Sequence, residues 1–112
     1  MPSLAKYPTA EWAPNSKTDL QAAIVEGLEL SADCSKGPHG PIGSWDVSTV
    51  TDMSLLLYFA DGNKFAADIS EWDVASVTDM SSMFSYASSF NGDLSKWDVS
   101  RLTKMVGMFS YA

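Results

Sequence analysis

Asp46, Asp73 and Asp98 occupy the same slot of a repeated phrase, each directly after a tryptophan and before a valine. Across the tryptophan their neighbours are Ser44, Glu71 and Lys96. Carboxylates in such a register have two uses. Each can accept hydrogen bonds from the backbone N–H groups of its own corner and so shape the chain. Alternatively the row forms an exposed acidic stripe that meets a basic partner or weakly holds divalent cations. Calcium wants several oxygens converging on one point. One carboxylate per rung, about 4.8 Å apart, supplies that poorly, so no specific metal site is expected. The candidate partner-binding face is therefore Asp46, Glu71, Asp73, Lys96 and Asp98.

Other reactive groups are isolated. His39 is the single histidine and lies between Pro38 and Gly40. A catalytic base needs an oriented partner and a nucleophile within reach, and neither is signalled, so an exposed loop residue is expected. Cys34 stands alone and reads as a packed or loop thiol. There is no GxSxG, no Gly-rich loop ending in Lys-Ser, and no paired Cys or His. GPHGPIG, residues 37–43, has three glycines, but its prolines lack N–H groups that a phosphate cradle needs. No catalytic residue, metal or cofactor is expected. The rival from another class is an acidic carbohydrate-processing or cation-binding protein that uses the aspartate row with His39.

The elements that would position these groups repeat. Trp45, Trp72 and Trp97 are 27 and 25 residues apart, which divides the second part of the chain into units 45–71, 72–96 and 97–112. The two extra residues of the first unit fall in DGNK, a turn marked by Gly62 and Asn63. Met80, Met83, Phe84 and Ala87 sit at i, i+3, i+4 and i+7, one face of a helix. Met53, Leu56, Leu57 and Ala60 repeat the pattern, as do Met105, Met108, Phe109 and Ala112. Thr51, Thr78 and Thr103 precede these stripes as N-caps. Leu94-x-x-Trp97-x-Val99 and Ile69-x-x-Trp72-x-Val74 have the spacing of a leucine-rich-repeat strand. Strands are thus expected near 44–48, 71–75 and 96–100, and helices near 52–60, 79–87 and 104–111. One unit cannot bury both apolar stripes, but stacked units can.

Ahead of the repeats, residues 1–15 read as an irregular segment. Residues 16–44 hold an amphipathic helix over about 18–29, set to cap the first repeat, and the Gly/Pro connector. The expected fold class is α/β: a right-handed leucine-rich-repeat-like solenoid of short parallel strands and short helices, capped by an N-terminal helix.

Charge narrows the partners. Fourteen acidic and seven basic residues give a net charge of −7 over 112 residues. Nucleic acid and anionic membranes are bound mainly through Lys and Arg, so neither is an expected partner, and no stretch approaches the ~20 apolar residues of a membrane span. A protein partner, basic where it meets the acidic face, is expected. The strand at 96–100 has one free edge, so self-association through the open last repeat, or a frayed last helix, is also expected.

The stretch WDVASVTDMSSMFSYASSFNGDLSKWDVS, residues 72–100, resembles the repeat of BspA-like leucine-rich-repeat surface proteins, also described as the bacterial surface protein repeat. The resemblance covers roughly 45–112 and rests on W-D-V, T-D-M-S, M-F, F-N-x-D-L and the next W recurring in order. It implies a solenoid at the cell surface or outside the cell, used for adhesion and protein contact, with no catalytic residues. MPSLAKYPTAEW has no apolar run that could act as an export signal. The leading expectation is a non-catalytic binding module that works through the strand face. The alternative is a fragment of a longer structural array without a separate function.

Overall fold

The computed structural model describes residues 12–59 and 61–112. The expected irregular segment 1–15 therefore falls mostly outside the described residues, as does Ala60.

A single α-helix, α1, spans Lys17–Leu28. Ser16 begins it as expected of an N-cap: its hydroxyl accepts the N–H of Asp19 at 3.2 Å. Leu20, Ala23, Ile24 and Gly27 form its buried face. Polar side chains flanking that face reach the first repeat. Gln21 Nε2 donates to the carbonyls of Leu55 and Leu56 at 3.2 and 2.9 Å. Lys17 Nζ donates to Ser54 Oγ at 3.1 Å and lies 3.5 Å from the Asp52 carboxylate.

The strand-and-helix solenoid is not what the repeats form. Among the described residues there is no sheet and no second α-helix, only short 3₁₀ turns at Ile42–Ser44 and Gly62–Lys64 and two isolated parallel bridges, Asp52 with Asp79 and Asp79 with Lys104. The W-D-V segments are corners. Trp45, Trp72 and Trp97 each donate their N–H to the carbonyl three residues back, at 3.1–3.2 Å, and Val50, Val77 and Leu102 do the same at 3.0 Å. A backbone that closes two such turns in succession has no free run of groups for a strand ladder.

The segments expected to be helices are runs of tight turns tied sideways to the next repeat. Met53, Leu55 and Leu57 donate N–H to the carbonyls of Asp79, Ser81 and Met83 at 2.9–3.1 Å. Met80, Ser82, Phe84 and Tyr86 donate to Lys104, Val106, Met108 and Ser110 at 2.8–3.0 Å. Between them, Leu56, Tyr58, Met83, Ser85 and Ala87 close turns onto the residue three back. Alternate N–H groups thus bond within a coil and between coils. Positive φ at Leu55 (58°), Ser82 (56°), Tyr86 (62°), Gly107 (67°) and Tyr111 (58°) breaks any helix. The threonines are not N-caps: Thr78 and Thr103 donate N–H to the carbonyls of Thr51 and Thr78, at 2.8 and 2.9 Å.

The physical reason is local. Asp, Ser and Thr compete with helix formation by bonding nearby backbone, and T-D-M-S is three-quarters such residues. Asp52 and Asp79 accept the N–H groups of Ser54 and Ser81 at 2.8 and 2.9 Å. The apolar spacing survives the change of backbone. Met53, Leu56, Leu57, Met80, Met83, Phe84 and Ala87 are all buried, in one cluster with Trp45, Val47, Trp72 and Val74. Gly62 makes the DGNK turn sterically feasible, since a Cβ there would meet the Leu57 carbonyl oxygen at 1.8 Å.

Candidate functional site

The expected acidic face is assembled only in part. Asp46, Glu71 and Asp73 line one shallow depression of about 300 Å³ with Ser44 and Trp45. Glu71 is engaged by Lys96, whose ammonium lies 2.7 Å from its carboxylate and is held charged by that bond. Asp98 turns to its own corner and accepts the N–H of Ser100 at 3.0 Å. Asp46 and Asp73 do likewise with Ser48 and Ala75, at 3.0 and 3.1 Å. No group of three or more metal-ligating side chains occurs among the described residues.

The corner use is general. Asp33, Asp46, Asp52, Asp68, Asp73, Asp79, Asp93 and Asp98 each accept the N–H two residues on, at 2.8–3.1 Å. These are eight of the ten aspartates in the chain. Asx turns of this kind are a standard device for reversing a chain. Hydrogen bonds from Ser48 and Ser100 lower the carboxyl pKa values of Asp46 and Asp98. Bonds from Ser35, Ser70 and Ser95 do the same for Asp33, Asp68 and Asp93. At Asp52, partial burial pushes upward but is outweighed by Ser54 and Lys17, so the net direction is down. Much of the negative charge thus sits in corners. The signal was present in the sequence as Asp-x-Ser, seven times, with Asp73-x-Ala75 the exception.

His39 is half-buried. Its ring stacks on Trp12 at 4.0 Å and 16° and meets Trp45 edge-on at 6.2 Å. That is packing of the connector under the first repeat, and the indole of Trp45 donates to the His39 and Gly40 carbonyls at 3.1 and 3.2 Å. Cys34 is fully buried, and burial pushes its thiol pKa up to about 11, with the Asp33 charge adding to the rise.

Sequence reasoning missed a second face. Tyr58, Tyr86 and Tyr111 are each half or more exposed and run along the stack as a ridge. Tyr58 and Tyr86 ring centroids are 5.7 Å apart, and Tyr86 and Tyr111 are 4.8 Å apart and nearly parallel, at 8°. The ridge borders a groove of about 690 Å³ whose polar lining is Asn63, Ser85 and Ser88. The turn-run at 79–87 places Tyr86 outward because Met83, Phe84 and Ala87 take the inward positions. The usable signal was the residue just before the alanine in F-S-Y-A, which falls outside the apolar stripe in both copies.

The family model described as "Mycoplasma protein of unknown function, DUF285" matches residues 28–112. The chain belongs to the DUF285 family. No curated protein and no solved structure matches it. In this DUF285 chain the matched region takes in every corner aspartate, the tyrosine ridge and all three repeats, while most of α1 precedes it.

Proposed function

We propose that this chain is a non-catalytic repeat module that binds protein partners, and that the tyrosine ridge is its contact face. The observation that carries the reading is the exposed, pre-ordered row Tyr58–Tyr86–Tyr111 beside a groove with polar groups at its wall. Tyrosine offers a large contact area at a low cost in side-chain entropy and is enriched at binding hot spots. Its cost here is also informative. Tyr86 and Tyr111 hold φ of 62° and 58°, a region that glycine fills at no steric cost. Bulky side chains at such positions are explained by what the side chain does. The resemblance to BspA-like surface repeats favours adhesion at a cell surface as the setting. Corner bonds at Asp46, Asp73 and Asp98, and the packing of His39 on Trp12, favour binding over a hydrolytic use of these residues.

The test is a display library of random peptides selected on the purified chain. Binders should lose at least about tenfold in affinity against Tyr86→Gly, the loss expected of an aromatic hot spot. Glycine suits the φ at this position, so folding is retained and circular dichroism should be unchanged. Binders that ignore Tyr86→Gly but are lost on Glu71→Gln would move the contact face to the acidic depression and sink the ridge reading.

A further inference from the structure

The third repeat presents a backbone edge of one hydrogen-bonding sign. In the second repeat, the N–H groups of Met80, Ser82, Phe84 and Tyr86 donate into the third. The residues in the same register of the third repeat are Met105, Gly107, Phe109 and Tyr111. Their N–H groups have no acceptor among the described residues. The carbonyls between them, of Lys104, Val106, Met108 and Ser110, already accept from the second repeat. Met105, Phe109 and Tyr111 are 57%, 55% and 76% exposed. The edge therefore offers donors in series and spends its intervening acceptors inward.

The opposite edge of the stack lies against α1. Of the first-repeat carbonyls in the accepting register, that of Leu56 is bonded by Gln21 of α1, and Lys17 of the same helix holds the side chains of Ser54 and Asp52 beside it. A second copy of this chain is then a poor partner in either orientation. Paired symmetrically, donors face donors. Paired head to tail, the acceptor edge lies under α1.

We propose that the Met105–Tyr111 edge is a docking surface for a coil of this same repeat pattern whose carbonyl edge is free, and that it discriminates against a second copy of the chain. The two interfaces already in the molecule are the template. Each joins an N–H edge to a carbonyl edge with a two-residue step. The aromatic columns continue the same geometry: Phe109 lies parallel to Phe84 at 5.2 Å and 4°, and Tyr111 to Tyr86, so both outer ring faces are set to take another M-F-x-Y coil.

A direct test appends a second copy of residues 88–112 after Ala112, so that the new Ala-Ser join reproduces the join of Ala87 to Ser88. Residue-resolved amide hydrogen exchange is compared with the 112-residue chain. The N–H groups of Met105, Gly107, Phe109 and Tyr111 should slow by at least about tenfold, the mark of a new ladder bond. Met108 and Ser110, already bonded to Met105 and Gly107, should change much less. An appended coil that stays unstructured, or protection spread evenly over 105–111, overturns the proposal. In parallel, sedimentation of the 112-residue chain should give one monomeric species over a wide concentration range. A concentration-dependent dimer that protects the same four amides overturns the discrimination.

Discussion

The indole Nε1 of Trp72 donates to the carbonyl of Ile42 at 2.9 Å, tying the start of the second repeat to the connector that precedes the first. That same carbonyl accepts the backbone N–H of Trp45. One repeat on, Trp97 Nε1 donates to Ile69 at 3.0 Å, and Ile69 accepts the N–H of Trp72. Trp72 and Trp97 thus each close their own corner with the amide and pin the preceding corner with the ring.

Trp72→Phe should expose the value of this pin. It keeps most of the buried ring and removes the donor. The expected loss is about 1–2 kcal/mol, a net hydrogen bond plus some packing, read as a lower urea midpoint at unchanged slope. Trp97→Phe should cost less, because Trp97 is only half-buried.

Acid should unfold the chain through its corners. The carboxyl pKa values of Asp33, Asp46, Asp68, Asp93 and Asp98 are lowered by hydrogen bonds to the folded backbone and serines. Their contribution is fully present above the ordinary aspartate value, about 3.9, and is lost as pH falls through the lowered values. Urea midpoints should therefore be flat from about pH 7 to 5 and fall below about 4. Asp46→Asn retains an acceptor for the Ser48 N–H but not the titration, so it should flatten that fall. Asp46→Ala should lower stability at every pH.

Gly62→Ala should destabilise by about 3 kcal/mol, at the upper end of common single-site losses. The added Cβ meets main chain, the Leu57 carbonyl oxygen at 1.8 Å, so the loop must move. Gly92→Ala serves as the control, since its Cβ would meet only the Phe90 ring, at 2.7 Å. Thermal melts of the two variants should separate clearly.

Cys34 should be inert in the folded chain. It is fully buried, and its thiol pKa is pushed up to about 11, so thiolate is scarce at pH 8. Alkylation by iodoacetamide should proceed at a rate set by unfolding and rise steeply with denaturant. Rapid stoichiometric labelling of the native chain would contradict this.

The sequence disclosed the repeat and its inward side chains but not the backbone between them. Met80, Met83, Phe84 and Ala87 point inward as their spacing requires, yet i, i+3, i+4 fits a run of tight turns as well as it fits a helix. What decides between them is where alternate N–H groups go, and that depends on a neighbour 24–27 residues away. The same holds for Trp72-x-Val74: alternation placed both side chains in the core, while the corner at Asp73 removed the strand. Asp-x-Ser, a purely local device, is legible as a turn signal: the corner use weighed for Asp46, Asp73 and Asp98 is the one their carboxylates make, but the same device at Asp33, Asp52, Asp68, Asp79 and Asp93 was not read as such. The tyrosine ridge was hidden because the residues that build it lie off the apolar stripe. Their alignment across repeats appears only once the coils are stacked.

The ladder bonds from Met80, Ser82, Phe84 and Tyr86 to the third repeat all run along the stack. A pull on the C-terminus in that direction loads them one after another, in the manner of a zipper, because each repeat is held only by its neighbours. The last coil would peel first at low force, and the coil before it would resist until its own row was reached. A chain built this way yields to tension by stepwise lengthening, so a pull on the last coil would be absorbed there before the first repeat, against α1, was disturbed.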